Sequence, residues 1–128
     1  MRRDWDVYPF GGVLVLSLLG FFTPGSDLPS GPPVSDKLEH AAIFFALALT
    51  GRYAGFAVSR LVVGLCCYAA VTEVLQAVLP IGRDGDWRDV VADVLGVAAA
   101  VLLTRAGAAL LRLRRARRGG TRPCRGPG

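Results

Sequence analysis

Residues 61–79 form the sequence LVVGLCCYAAVTEVLQAVL, nineteen residues with a single charged side chain, Glu73. Pro80 follows directly. A helix of about 20 apolar residues is long enough to cross the hydrocarbon core of a bilayer. The stretch therefore predicts a transmembrane helix that ends at Pro80, because proline cannot continue a helix.

Three further apolar blocks flank this one. They cover residues 7–22, 36–53 and 90–111, and 52% of the 128 residues are hydrophobic, with a mean hydropathy of +0.44. A soluble domain of this length would break its apolar stretches with polar faces, whereas long apolar blocks are typical of membrane proteins. We therefore predict an all-α, integral membrane four-helix bundle over residues 1–111.

The first block, Val7–Phe22, is the shortest of the four. Its sixteen residues extend about 24 Å, against a hydrocarbon core of about 30 Å. Arg2 and Arg3 precede it, so a cleaved signal peptide is the competing interpretation. The segment that follows, Phe22–Ser26, lacks the small-residue pattern of a cleavage site, which favours a retained helix.

Proline, glycine and charge mark the loops between the predicted helices. Residues 23–35 contain four prolines, which predicts a loop, and Ser35 or Asp36 then caps the second helix. Residues 82–88 form a polar turn before the fourth helix. Residues 112–128 are rich in arginine, glycine and proline, which predicts a disordered tail that lies on anionic lipid.

Arginine and lysine are distributed unevenly between the two ends of the predicted helices. Twelve lie on the side of both termini, and three (Lys37, Arg83 and Arg88) lie on the other. Positively charged residues in short loops are retained in the cytoplasm. The distribution predicts a multi-pass protein of the bacterial inner membrane with both termini in the cytoplasm, so that residues 23–35 and 82–88 face outward.

The formal net charge of +5 and the pI of about 9.7 do not indicate a nucleic-acid partner. The basic residues lie at helix ends and in the tail, without interleaved aromatic residues or a reader motif. Cys66 and Cys67 are adjacent and Cys124 lies in the tail, so the three cysteines make neither a disulfide framework nor a metal-ligand spacing. The sequence predicts no metal site and no cofactor.

Polar residues at the outward ends of three predicted helices are the candidate functional residues. A charged group at the centre of a transmembrane helix costs about 2.5–3.5 kcal/mol on insertion scales, so such groups usually have partners and a function. The predicted topology places His40, Gln76 and Asp93 each about 6 Å inside the outer boundary of the membrane. Spacings of three or four residues place the polar residues of each helix on one face. The predicted cluster contains Asp36, Lys37, His40, Glu73, Gln76, Arg83, Asp89 and Asp93.

Two interpretations of this cluster are open. Its groups can pair with one another and fix only the register of the helices, or they can line a pocket that opens outward. One interhelical pair would suffice for register, so the number of ionisable groups favours the pocket. The first helix contributes no residue to the predicted cluster. In the fourth helix, Ala92, Gly96 and Ala100 form a stripe of small residues that predicts close helix packing.

The order of these residues resembles the pattern of VanZ-like membrane proteins. The resemblance extends over about half of the chain, and Asp93 stands where asparagine is common in the family. It implies a short, four-helix inner-membrane protein; the founding member of the family is linked to low-level resistance to the glycopeptide teicoplanin. The matching runs are Asp36-Lys37-x-x-His40 followed by Phe44, Glu73-x-x-Gln76, and Arg83 followed by Asp89-x-x-x-Asp93-x-x-Gly96.

Three functions agree with the pattern. In a protein that binds or helps to transport an envelope lipid or lipid-linked precursor, Lys37, Arg83 and Arg88 would contact a phosphate or carboxylate. In an intramembrane enzyme, His40 would be the general base or acid, oriented by Glu73 or Asp93, although no nucleophile or metal triad accompanies it. In a structural or assembly subunit, the cluster would only hold the bundle together. Four helices are few for a complete transporter, which is compatible with a homo-oligomer or a partner protein.

Overall fold

The computed structural model describes residues 4–24, 26, 33–83 and 85–119. Within these ranges the chain forms a short 3-10 helix, Asp4–Val7, and four α-helices, with no strand. The helices are α1 (Tyr8–Phe22), α2 (Pro33–Tyr53), α3 (Val58–Val78) and α4 (Trp87–Gly119). The prediction of an all-α chain with four helices is confirmed. Arg2, Arg3, Asp84, residues 27–32 of the proline-rich loop and residues 120–128 lie outside the described residues.

α2 begins three residues earlier than predicted, at Pro33 rather than Asp36. Proline is accepted in the first turn of a helix, where its missing N–H has no partner within the helix. The prediction that Ser35 or Asp36 caps this helix is therefore wrong. Asp36 lies instead inside the first turn, where its negative charge interacts favourably with the helix dipole.

α4 is longer than predicted at both ends. Asp86 precedes its first residue, and one Asp86 carboxylate oxygen accepts the backbone N–H of Arg88 at 3.0 Å, as a helix cap does. At the other end the helix continues to Gly119, so the prediction of a disordered tail from Arg112 is wrong for residues 112–119. Alanine, leucine and arginine are strong helix formers, and neither glycine nor proline interrupts the chain between Gly107 and Gly119.

A glycine ends α2 and turns the chain toward α3. The N–H of Phe56 donates to the carbonyl of Gly51 at 3.0 Å, and the N–H of Gly55 donates to the carbonyl of Arg52 at 3.0 Å. This pair of bonds is the Schellman arrangement, and Gly55 has the positive φ of 79° that it requires. The tight connection places α2 and α3 side by side in opposite directions.

α2 is the central helix, since it packs against α1, α3 and α4, most extensively against α4. Its buried positions are 40, 44, 47, 48 and 51, and those of α4 are 89, 93, 96, 97, 100 and 101. Each set forms one narrow stripe along its helix, the pattern of closely packed helix pairs. The middle of the bundle is apolar and includes Phe44, Leu47, Leu65, Val97 and Ala100.

Gly96 allows α4 to approach the backbone of α2. A Cβ atom at Gly96 would overlap the carbonyl oxygen of Ala41 and would lie 3.0 Å from the backbone nitrogen of Phe45. Ala100, one turn further along α4, is completely buried. The small residues of α4 therefore lie in the α2–α4 interface, where they keep the two helix axes close together.

Two of the four helices, α3 and α4, are long and apolar enough to cross a membrane by length and composition. α1 is apolar but has only 15 residues. α2 is long enough but does not meet the same criterion of apolar composition, since it carries Asp36, Lys37, Glu39 and Arg52.

Substitution of Gly96 is expected to destabilise the bundle. Gly96→Ala should lower the free energy of unfolding by about 1–3 kcal/mol, because the α2 backbone must move to make room for the added methyl group. Gly107→Ala in the same helix is the matched control, since no atom lies within 4 Å of the Cβ that it adds. It should leave stability unchanged or raise it by up to about 1 kcal/mol. Thermal unfolding of the purified protein in detergent measures the stability of both variants. Equal losses of stability in the two variants would contradict the close approach of α4 to the backbone of α2.

Candidate functional site: an interhelical polar cluster

The most deeply buried polar contact joins α2 to α4. His40 Nδ1 lies 3.1 Å from Asp93 Oδ1, and the two side chains are 2% and 1% exposed. The ring of Phe21 stacks on the imidazole with centroids 4.6 Å apart. His40 Nε2 and Asp93 Oδ2 are buried and have no hydrogen-bond partner among the described residues. Buried polar atoms are rarely left without a partner, so these two retain unused hydrogen-bonding capacity.

Lys37 makes the second link between α2 and α4. Its ammonium donates to Asp89 at 2.7 Å and to Asp86 at 2.9 Å. Lys37 lies one turn before His40 in α2, and Asp89 lies one turn before Asp93 in α4. The two contacts are therefore stacked along the same helix interface. The side chain of Asp89 is 8% exposed, whereas those of Lys37 and Asp86 are about a third exposed, so the cluster opens at the Lys37–Asp86 end.

Residues of α3 and of the loop after it connect this interface to α1. Glu73 Oε1 accepts the backbone N–H of Asp86. Gln76 donates to the carbonyl of Phe21 at 3.0 Å. Arg83 donates to the carbonyl of Gly20 at 3.1 Å and to Asp36 at 3.3 Å. The expectation that the first helix contributes nothing to the cluster is therefore wrong, because its last turn supplies two carbonyl groups and the Phe21 ring.

The structure brings all eight polar residues predicted from the sequence together, with Asp86 as a ninth. Sequence reasoning assigned Asp86 to a polar turn, although its position three residues before Asp89 places both at the start of the same helix. Arg88 lies outside the group, exposed, with its guanidinium 5.8 Å from the Trp87 ring centroid. We use the name polar cluster for Asp36, Lys37, His40, Glu73, Gln76, Arg83, Asp86, Asp89 and Asp93.

The polar cluster carries more negative charge than its two cations neutralise. It also has more hydrogen-bond acceptors than these cations occupy. It has five carboxylates, and both of its cations, Lys37 and Arg83, are already paired with carboxylates. Among the described residues, Asp36, His40 and Asp89 also bring one ligand atom each within 4.8 Å of one another, close enough to hold a metal ion. The arrangement is therefore suited to a ligand that donates hydrogen bonds or carries positive charge.

A cavity of about 840 Å³ lies at the other end of the bundle. It is lined by α1, by the end of α2 and by the start of α3, including Leu14, Phe56, Gly64 and Tyr68. Arg52 and Arg60 also line it, whereas no residue of the polar cluster does. The two features are therefore separate, one at each end of the bundle.

No family model, no curated protein and no solved structure matches this chain. What the polar cluster does is therefore argued from its own residues.

The Lys37–Asp86 ion pair should make stability depend on pH. Donation by the Lys37 ammonium, and then by the Arg88 N–H, lowers the pKa of Asp86 below its ordinary value of 3.8. The stabilisation is fully present above that ordinary value and is lost as the pH falls through the lower value of the folded state. Wild type should therefore lose more thermal stability than Asp86→Asn between about pH 6 and about pH 3.

Differential scanning fluorimetry in detergent measures this difference. Asp86→Asn keeps the backbone N–H that donates to Glu73 and a side-chain oxygen for the helix cap, so the comparison isolates the charge. Parallel pH curves for the two proteins would show that the ion pair contributes nothing.

Proposed function

We propose that this chain is a VanZ-like multi-pass protein of the bacterial inner membrane, whose polar cluster binds the polar head of an envelope lipid or lipid-linked precursor on the outer side. All four helices cross the membrane in this proposal, and both termini are cytoplasmic. The observation that carries it is the pair of buried atoms without a partner, His40 Nε2 and Asp93 Oδ2, at the base of a cluster that opens at one end of the bundle.

The distribution of side chains supports a membrane environment. The polar cluster lies between the helices beside the apolar core, and many large apolar side chains lie on the outer surface, where a soluble domain would be mostly polar. This arrangement is typical of transmembrane bundles, in which ionisable residues face the interior and apolar residues face lipid. Exposed apolar residues occur on α1, α3 and α4 and include Leu16, Leu19, Val63, Val74, Leu95 and Leu102.

Charge supports the proposed orientation. Arg52 and Arg60 lie at the end of the α2–α3 pair opposite to the polar cluster, and α4 extends from the bundle at that end through residues 105–118, all exposed. The described part of this extension carries six arginines, at 105, 112, 114, 115, 117 and 118. A cytoplasmic position satisfies the positive-inside rule and brings these arginines to anionic lipid.

The excess of acceptors in the cluster defines the chemistry of the proposed ligand. Because Lys37 and Arg83 are paired with carboxylates, they are poorly placed to bind a phosphate by themselves. A neutral His40 that donates from Nδ1 to Asp93 leaves Nε2 as an acceptor, and Asp93 Oδ2 is an acceptor as well. Hydroxyl and amino groups of a sugar-bearing head would satisfy both atoms.

A structural role is the second candidate, and the pairing within the cluster favours it. Lys37, Arg83, Gln76 and Glu73 each contact a residue of another helix or of the α3–α4 loop. Such contacts hold helices together without any ligand. The two buried atoms without a partner distinguish the candidates, since a purely structural network gains nothing from them.

Cysteine labelling tests the proposed topology. In a background with Cys66, Cys67 and Cys124 changed to alanine, Arg88→Cys should react with a membrane-impermeant maleimide in intact cells. Ser59→Cys, at the start of α3, should react only after permeabilisation. Both positions are exposed, so accessibility in the fold does not limit either reaction. Equal labelling in intact cells, or the reverse order, contradicts the proposed orientation.

Photocrosslinking tests the proposed ligand. Purified protein should be labelled by a photoactivatable lipid-linked saccharide more strongly than by the same lipid without the saccharide. His40→Asn should abolish the difference at normal abundance, because its short amide can still donate to Asp93 from the position of Nδ1 and leaves no acceptor at the position of Nε2. Glu39→Gln is the matched control, since Glu39 is an exposed residue adjacent to His40 in α2.

The same variants separate the two candidate functions. If the role is structural, His40→Asn lowers the abundance of the protein in membranes, and wild type shows no preference for the saccharide-bearing lipid. Retention of full, saccharide-dependent labelling by His40→Asn would exclude His40 as the acceptor.

A further inference from the structure

We propose that Asp36, His40 and Asp89 form a binding site for a divalent transition-metal ion. One oxygen of each carboxylate and one ring nitrogen of His40 lie within 4.8 Å of one another. The three residues come from two helices, and α2 and α4 are the most extensively packed pair in the bundle. The proposal goes beyond lipid binding and does not depend on it.

The state of the imidazole points independently to a metal. Nδ1 is occupied by Asp93, which leaves Nε2 as the nitrogen free to coordinate, and Nε2 is buried without a partner among the described residues. Metal-bound histidines usually donate their second ring nitrogen to a carboxylate, which fixes the tautomer and raises the basicity of the coordinating nitrogen. Asp93 occupies the position of that orienting carboxylate. Stacking of Phe21 holds the ring in its plane.

The carboxylates have ligand capacity to spare. Arg83 contacts one oxygen of Asp36, and Lys37 contacts one oxygen of Asp89, so each carboxylate has a second oxygen that neither ion pair uses. Asp36 is 44% exposed and gives an ion access from the aqueous side, whereas Asp89 and His40 are buried. The site is thus open on one side and closed on the other.

The donor set selects the class of metal. One imidazole nitrogen with two carboxylate oxygens suits Mn²⁺, Fe²⁺ or Zn²⁺, whereas Mg²⁺ and Ca²⁺ prefer oxygen ligands alone. Three protein ligands leave at least one coordination position for water or for a ligand atom. With the ion bound, His40 Nε2 is a metal ligand, so a hydroxyl or phosphate oxygen of the lipid head proposed above would bind at the open position on the ion instead of donating to or contacting Nε2.

Lys37 competes with the ion for the same negative charge. Its ammonium lies 2.7 Å from Asp89, so a bound cation must share that carboxylate with it or displace it. Removal of the lysine charge should therefore tighten metal binding, an effect that a merely structural role of Lys37 would not produce.

Titration with Mn²⁺ alone tests the proposal on the full chain in detergent, with the three cysteines changed to alanine so that no thiolate contributes. Free Mn²⁺ is followed by electron paramagnetic resonance, and Zn²⁺ is then added as a competitor. Wild type should bind one Mn²⁺ per chain, and Zn²⁺ should displace it.

Four variants test the two carboxylate ligands and the competition by Lys37. Asp36→Asn and Asp89→Asn should weaken binding by about 10-fold or more, at least the usual effect of losing an outer-sphere partner. Lys37→Gln should tighten it by about fivefold, the effect of one screened ion pair. Glu39→Gln, which removes an exposed carboxylate from the same turn of α2, should bind as wild type does.

Asp36 is half-exposed, so Asp36→Asn is expected to fold. If Asp89→Asn does not fold, the Mn²⁺ affinities of wild type and Asp36→Asn can still be compared. Absence of stoichiometric Mn²⁺ binding by wild type overturns the proposal. Equal affinity of wild type, Asp36→Asn and Lys37→Gln overturns it as well. Because no lipid is present, these outcomes are independent of the crosslinking result.

Discussion

The contact between His40 and Asp93 depends on how closely α2 and α4 approach each other. Gly96 follows Asp93 by three residues and packs against the backbone of Ala41, the residue after His40. The close approach and the polar contact therefore occur at the same level of the interface. A side chain at position 96 would separate the helices at the point where the imidazole meets the carboxylate. Since both groups are almost fully buried, loss of either partner would leave the other without compensation, which is costly.

The remaining polar contacts extend from this pair toward the open end of the bundle. Lys37 and Asp89 repeat the α2–α4 link one turn away, and Asp86 joins that link to the start of α4. Gln76 and Arg83 bind the two carbonyl groups at the end of α1. The last four carbonyl groups of a helix have no partner within it. The cluster thus provides donors for backbone carbonyl groups of α1 that have no partner within the helix, and it fixes the end of α1 against α2 and α3.

Much of the candidate site can be predicted from the sequence. The period of a helix shows which polar residues share a face, and the alternating directions of the helices place these faces at the same end of the bundle. This reasoning brought His40, Glu73 and Asp93 together although they are far apart in the chain. It missed the contribution of α1, since carbonyl groups and a stacked Phe21 leave no polar signal in a sequence. It also gave no indication that Asp36, His40 and Asp89 could hold a metal ion, because Asp89 is far from the other two in the chain and completes no short metal motif.

Errors at the helix ends have a common physical origin. The four prolines of residues 23–35 predict a loop, yet Pro33 begins α2, because the first turn of a helix needs no N–H. The arginine-rich composition predicts disorder after residue 111, yet arginine between alanine and leucine is a good helix former, and α4 continues to Gly119. The conformation of Pro33 depends on its position in the helix, and that of the arginines depends on their neighbours. Composition alone carries neither piece of information.

The relation between Lys37 and the proposed metal site follows from the excess of carboxylates. Without a bound ion, the Lys37 ammonium supplies a positive charge shared between Asp86 and Asp89. Lysine is a point charge on a flexible stem, so it can release Asp89 and keep its contact with the more exposed Asp86. The cluster therefore has its own cation, the Lys37 ammonium, which stabilises the bundle when no ion is bound. When an ion binds Asp89, this ammonium can remain on Asp86. In the proposed metal site, the same carboxylates would hold the helices together and accept an external cation, so polar pairing does not by itself argue against ligand binding.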